Sequence, residues 1–266
     1  MKSRFYENDE ERWGEIDKVR NKVAENLQIP PRSKVLDVLV GEGDFARAIA
    51  KSSKKSYIIA GEILASDLKE AKRRIKRDRL KERVEVLRID MTCMPFAEDS
   101  FDHVVNFSGW EDFAAFSGEE LIDRAFNEMV RVLRMNGIFA ITFVPAIEPR
   151  DEVSRKDRKL REYLYKSWKR PKFFHEKFFL EMFEKQGIKI LKKNAFETPK
   201  NRLRPQDAKR FLKWSCKNYK RFYAPDVEMR PYEEIAEQFR GFIEKHGIRE
   251  MRSKFIVFVG KKSEIV

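Results

Sequence analysis

Four polar side chains, Asp37, Glu62, Asp90 and Asn106, each stand at the end of a short apolar run. The first run, Val35-Leu36-Asp37-Val38-Leu39-Val40, continues into Gly41-Glu42-Gly43-Asp44-Phe45. Glycines at 41 and 43 let the backbone turn tightly and approach a ligand without a Cβ in the way. The amides of a helix beginning near Phe45 would then face an electron-rich group. Asp37 is an acceptor suited to a cation or a hydroxyl. Glu62 follows the glycine turn by about 20 residues, the spacing at which a carboxylate in dinucleotide folds takes both ribose hydroxyls. Asp90 and Asn106 add a third and a fourth acceptor.

The elements that must hold these groups can be read from periodicity. Buried strands are expected over 35–40, 56–63, 84–90, 103–108 and 138–144, with later strands starting at Ile188 and Lys254. The last, Lys254 to Gly260, reads as the outer strand. Helices are expected over Glu7–Leu27 (Trp13, Ile16, Val19, Val23 and Leu27 at three- and four-residue steps), from Phe45, over Ser66–Arg79, from about Gly118, over Glu152–Arg170 and over Phe174–Gln186. Strands alternating with helices at this spacing imply an α/β fold, a doubly wound and mostly parallel seven-stranded sheet. Ligands of such sheets bind at the carboxyl ends of the strands, where the four polar groups lie. The expected organisation is a helical cover over 1–33, a core over 34–198, a helical basic insertion over 199–247 acting as a substrate cap, and a final strand with its tail over 248–266. The insertion holds two expected helices, Pro205–Tyr223 and Tyr232–His246.

The stretch Asp90-Met91-Thr92-Cys93-Met94-Pro95-Phe96-Ala97-Glu98-Asp99-Ser100-Phe101-Asp102, together with the glycine turn and Glu128-Met129-Val130-Arg131-Val132-Leu133-Arg134-Met135-Asn136-Gly137, resembles the class I S-adenosylmethionine-dependent methyltransferases. The likeness covers roughly residues 30 to 145. It implies that Asp37, Gly41, Gly43, Glu62, Asp90, Met91 and Asn106 bind S-adenosylmethionine, with Asp90 reading the adenine amino group and Met91 packing on the ring. Two departures stand out: Leu39 occupies the place of the family's first glycine, and Met135-Asn136 replaces its usual Pro-Gly.

Methyl transfer is an in-line displacement in which the protein mostly holds an unprotonated nucleophile about 3 Å from the methyl carbon. Asn106-Phe107-Ser108-Gly109-Trp110 is a loose relative of the (D/N/S)-P-P-(Y/F/W) motif of base-amine methyltransferases. By that resemblance Asn106 and Trp110 are the catalytic pair, with Trp110 and Phe113 against the target base. Glu111 or Asp112 could take the proton. In the insertion, Lys209, Arg210, Lys213, Trp214 and Lys217 are expected to contact substrate, since cations hold phosphates and aromatic rings stack on unpaired bases. Phe211, Trp214 and Phe222 also have the spacing of a core stripe.

A net charge of +13 favours a polyanionic partner. The alternative source, a heat-adapted surface, explains abundant charge but not an excess of base. The expected substrate is therefore structured RNA, ribosomal or transfer, methylated at a base amine such as cytidine N4; an archaeal-type RNA base methyltransferase is the nearest kind. A small-molecule methyltransferase acting on a quinone or lipid precursor is the alternative, and a non-catalytic RNA-binding or assembly factor a third. No membrane span and no signal segment are read, so a cytoplasmic protein is expected. Cys93 and Cys216 make no disulfide framework, and His103, His175 and His246 have no ligand spacing, so no metal is expected. The sequence leaves the oligomeric state open.

Overall fold

A computed structural model describes residues 5–146, 148–166, 173–222 and 228–263. In chain order the elements are β1 (Phe5–Tyr6), α1 (Asp9–Asn26), β2 (Lys34–Val38), α2 (Asp44–Ser52), β3 (Tyr57–Glu62), α3 (Ala65–Arg77), β4 (Val84–Arg88), β5 (Phe101–Phe107), α4 (Trp110–Ser117), α5 (Ile122–Val132), β6 (Leu133–Phe143), α6 (Glu152–Leu164), α7 (Glu176–Lys185), β7 (Ile188–Glu197), β8 (Arg202–Leu203), α8 (Pro205–Phe222), α9 (Tyr232–His246), β9 (Ile248–Arg249) and β10 (Lys254–Lys262). The expected ends Arg170 and Tyr223 lie outside the described residues.

The large sheet has seven strands in the order β4-β3-β2-β5-β6-β10-β7. β4 through β6 are parallel, while β10 runs antiparallel to both β6 and β7. The fold is thus the doubly wound α/β sheet expected. One apolar cluster packs α1, α2 and α3 on one face, and a second, rich in phenylalanine, packs α4, α5 and α7 on the other. Covering both faces is what permits unbroken apolar strands such as Val35-Leu36 and Val104-Val105.

The position read for the last strand is corrected. β10 is interior, with Val257 opposite Thr142 on one side and Asn194 on the other. Its run Phe255–Val259 is buried throughout. The edge on this side of the sheet belongs to β7, whose Lys189, Lys192 and Lys193 are exposed. Cations on an edge strand discourage pairing with another chain. The altered loop before strand five is also accounted for: the strand already starts at Leu133, and Asn136 (φ 64°) takes the left-handed conformation that asparagine tolerates best after glycine.

The insertion over 199–247 packs together with residues outside it. A second sheet, β1-β8-β9, joins the amino-terminal residues to the insertion. A third cluster, including Tyr6, Leu160, Leu164, Leu203, Leu212, Ile235, Ile243 and Ile248, shows that α6 packs with it as well. Its charged centre is Arg202, bound to both carboxylate oxygens of Asp157 at 2.6 and 2.9 Å, with the Arg249 amide donating to the same group. Both side chains are almost wholly buried.

Candidate functional site

The site grows from the tip of β2. Leu39 has φ 55°, Gly41 52° and Gly43 80°. The turn therefore has the left-handed conformation a glycine would adopt at all three places, and leucine holds it at one of them. That conformation costs a residue with a Cβ about 1–2 kcal/mol. Leu39 is retained against this strain by packing on the phenylalanine-rich cluster. A β-branched side chain fits the left-handed region worst of all. Leu39→Ile, elsewhere a mild exchange, is expected to lower stability by about 2 kcal/mol here, whereas Leu39→Gly stays within about 1 kcal/mol of the parent as lost packing and released strain offset each other. Urea denaturation of the two variants checks the order.

Glu62, at the tip of β3, ties this turn to the neighbouring strand. One carboxylate oxygen accepts the Gly41 amide at 2.9 Å, the other those of Ile63 and Leu64 at 2.8 and 3.0 Å. Burial raises its carboxyl above the usual range against the pull of these amides. Asp37 is fully buried one position before the tip of β2, and neither of its oxygens makes a well-formed hydrogen bond. Burial pushes it well above the ordinary carboxylate value; the Arg20 guanidinium draws it back. Beyond β4, Asp90 is exposed and accepts the Thr92 amide and hydroxyl at 2.8 and 2.7 Å, and Met91 is buried beside it.

Asn106 lies in register with Val38. Its amide nitrogen donates to the carbonyls of Val38 and Ser108 at 3.1 and 2.7 Å, while its buried oxygen has no partner. The side chain is thus oriented by its donor and leaves an acceptor unspent. Ser108 (φ 66°) and Gly109 (φ 95°) then reverse the chain into α4. A Cβ on Gly109 would stand 3.4 Å from that of Leu39, so the two turns abut. Glu111 follows, buried, accepting the Ser108 hydroxyl at 3.3 Å.

Asp37, Gly41, Gly43, Glu62, Asp90, Met91 and Asn106 are therefore arrayed along one edge of the sheet, at the tips of β4, β3, β2 and β5. The expected stacking residues are not. Trp110 is 0 % exposed, its ring 4.9 Å from Phe126 and 5.8 Å from Phe179, and Phe113 is buried against it. Neither can offer a face to a base without leaving the core, so their assignment as base contacts is corrected.

In the basic insertion, part of the charge is matched within the fold. Lys200 pairs with Glu11, Arg202 with Asp157, Arg204 with Asp207, and Arg210 with Asp9 and Asp207. Lys213 lies over the Tyr232 ring. Lys209 and Lys217 are exposed on α8. Phe211 and Trp214, read also as a core stripe, are 38 % and 46 % exposed; the buried stripe is Ala208, Leu212 and Ser215. The side chain of Phe222 lies outside the described residues.

Sequence reasoning passed over Arg20, Arg252 and the outward face of Trp13. Arg20 lies 5.2 Å over the Phe107 ring and 3.8 Å from Asp44. Its signal was a cation inside the stripe Ile16, Val19, Val23. Trp13 is exposed with Arg12 at 4.6 Å and Arg252 at 5.9 Å from its ring, and Arg252 reaches Asp112 at 3.6 Å. Among the described residues no group of three His, Cys, Asp or Glu could hold a metal ion, and no helix is long and apolar enough to cross a membrane.

Residues 35–137 match the family described as Methyltransferase domain. A demethylmenaquinone methyltransferase of Bacteroides fragilis is 28 % identical over 127 residues, 47 % of this chain and 49 % of that protein. A ubiquinone/menaquinone biosynthesis C-methyltransferase, UbiE, of Bordetella parapertussis is 36 % identical over 112 residues, 41 % and 40 % of the two chains. The chain thus spans about half the length, or less, of these curated relatives. A crystal structure of a candidate methyltransferase from Bacillus halodurans matches at a TM-score of 0.63 and 18 % identity, over 92 % of this chain and 99 % of that one. At that identity the likeness is one of fold.

Proposed function

The chain carries a class I S-adenosylmethionine-dependent methyltransferase domain, and on that premise we propose that it moves the methyl group of S-adenosylmethionine to a small acceptor of the quinol kind. The observation that carries this is the row of strand tips. Asp90 and Met91 would hold the adenine, Glu62 the ribose hydroxyls, and the Leu39–Gly43 turn the amino-acid end. The unspent oxygen of Asn106 and the buried acceptor of Asp37 are polar groups that a bound cation or donor would complete. Bound S-adenosylmethionine supplies an electrophilic methyl on a sulfonium; the chain orients it, keeps water out and receives a proton.

Two things favour a small acceptor over a polynucleotide. Four cations of the insertion, Lys200, Arg202, Arg204 and Arg210, are matched by carboxylates within the fold, so fewer remain to hold phosphates. The named activity of the curated relatives points the same way. A second reading, a base amine in RNA, is supported by the exposed Phe211 and Trp214 beside Lys209 and Lys217.

Calorimetry with S-adenosylmethionine and S-adenosylhomocysteine tests the premise. No heat at millimolar ligand would remove methyl transfer altogether and leave a non-catalytic factor. Turnover of S-adenosylmethionine with reduced 1,4-naphthoquinone, and none with transfer or ribosomal RNA, is the expected pattern; the reverse would install the RNA reading.

A further inference from the structure

Resting on that methyl-transfer reading, we infer that Glu111 is the catalytic group that touches the acceptor and takes the proton it loses on methylation. The buried carboxylates of the described residues are Asp37, Glu62, Glu111, Asp157, Asp207 and Glu250. Four are committed elsewhere: Glu62 to three amides, Asp157 to Arg202, Asp207 to Arg204 and Arg210, Glu250 to Arg12. Asp37 sits within the sheet, paired in register with Ala60 and Val105. Glu111 alone lies beyond a strand tip with no cation bound to it, its carboxylate taking the Ser108 Oγ at 3.3 Å and the amide of its own residue.

Its place follows from the order of the strands. On the proposed placement, the tips of β4, β3 and β2 would take the adenine, ribose and amino-acid parts in sequence, and the next tip in the sheet, β5, would face the transferable end. The Ser108-Gly109 reversal returns the first turn of α4 to that tip, against the Leu39 turn. A serine held at φ 66° is strained backbone of the kind that persists where it aims a functional group. Facing Glu111 are two charged groups, Asp112 on its own helix and Arg252, which is paired with Asp112 at 3.6 Å. Burial, reinforced by Asp112, lifts its carboxyl to about 7, so both protonation states are populated near neutral pH.

The step balances without a further reagent. The acceptor's X–H bond breaks, its electron pair forms the X–CH3 bond, and the C–S pair returns to sulfur, cancelling the sulfonium charge. The proton passes to the Glu111 carboxylate and then to solvent.

The test needs no acceptor. Sinefungin carries an amino group where S-adenosylmethionine carries the transferable methyl. If Glu111 faces that point, the parent should bind sinefungin about tenfold more tightly than S-adenosylhomocysteine, since an ammonium–carboxylate contact of this kind contributes about 1.4 kcal/mol. The preference should grow from pH 6 to pH 8 as Glu111 ionises. In Glu111→Gln it should fall to near unity and lose its pH dependence, with S-adenosylhomocysteine affinity unchanged. Glu111→Met, apolar and of similar volume, should show the same loss and covers the case in which a buried amide does not fold. An undiminished, still pH-dependent preference in either folded variant would overturn the assignment while leaving cofactor binding intact. Failure of the parent to bind S-adenosylhomocysteine would instead sink the methyl-transfer reading and this inference with it.

Discussion

Glu62→Ala is expected to weaken S-adenosylmethionine binding about thirtyfold, because a hydrogen bond to a charged acceptor contributes about 1.5–3 kcal/mol and, with three amides already on the carboxylate, one ribose hydroxyl would lose its acceptor. The same substitution should lower stability by about 2–3 kcal/mol, since the amides of Gly41, Ile63 and Leu64 lose their shared acceptor inside the fold. Glu62→Gln keeps one acceptor oxygen and should recover part of both losses. Calorimetry with S-adenosylmethionine and urea denaturation read the two effects separately. An alanine variant with parental cofactor affinity would show that the ribose is held elsewhere.

Arg202→Met should be costly for a different reason. It strands Asp157, which is 3 % exposed and would keep only the Arg249 amide as a close partner. Removing one member of a buried pair typically costs 3–5 kcal/mol, while replacing both by apolar groups is often near neutral. The double variant Arg202→Met/Asp157→Leu should therefore recover most of the stability. Arg161, buried nearby and held down to about 10 by burial, is the cation best placed to relieve Asp157 in the single variant. The cluster that includes Tyr6, Leu160 and Ile243 shares no buried residue with the two clusters of the large sheet. Proteolytic cleavage should accordingly concentrate in α6, α8 and α9, with residues 34–146 protected. A single variant as stable as the parent would mean that the pair is not the cap's centre.

The strand tips were legible because each strand announces itself locally, as a mostly apolar run with a polar residue at or near its end. Asp37, Glu62, Asp90 and Asn106 needed no tertiary information beyond that. Trp110 was misread because the rings that bury it, Phe126 and Phe179, lie far along the chain, and an aromatic beside Asp112 in sequence looks surface-bound until α5 and α7 close over it. The basic run from Lys200 to Arg210 failed similarly. Its compensating acids, Glu11, Asp9 and Asp157, come from distant elements, so local charge overstated the exposed charge. Phe211 and Trp214 erred by register: their spacing is helical, but Ala208 and Leu212 occupy the inward arc of the same helix. The outer strand was misplaced because chain order suggests that the last strand joins at the rim, whereas the uninterrupted burial of Phe255 to Val259 already demanded neighbours on both sides.

That interior strand has a consequence for how the molecule is made. β6 and β7 leave the ribosome well before β10, which must come to lie between them. Throughout that interval Ile141, Phe143 and the inner rim of β7 present unmatched backbone to whatever is near. The nascent sheet therefore closes only after residues 254–262 arrive, and a chaperone that shields β6 during translation should raise the yield of this protein more than one acting on the finished chain.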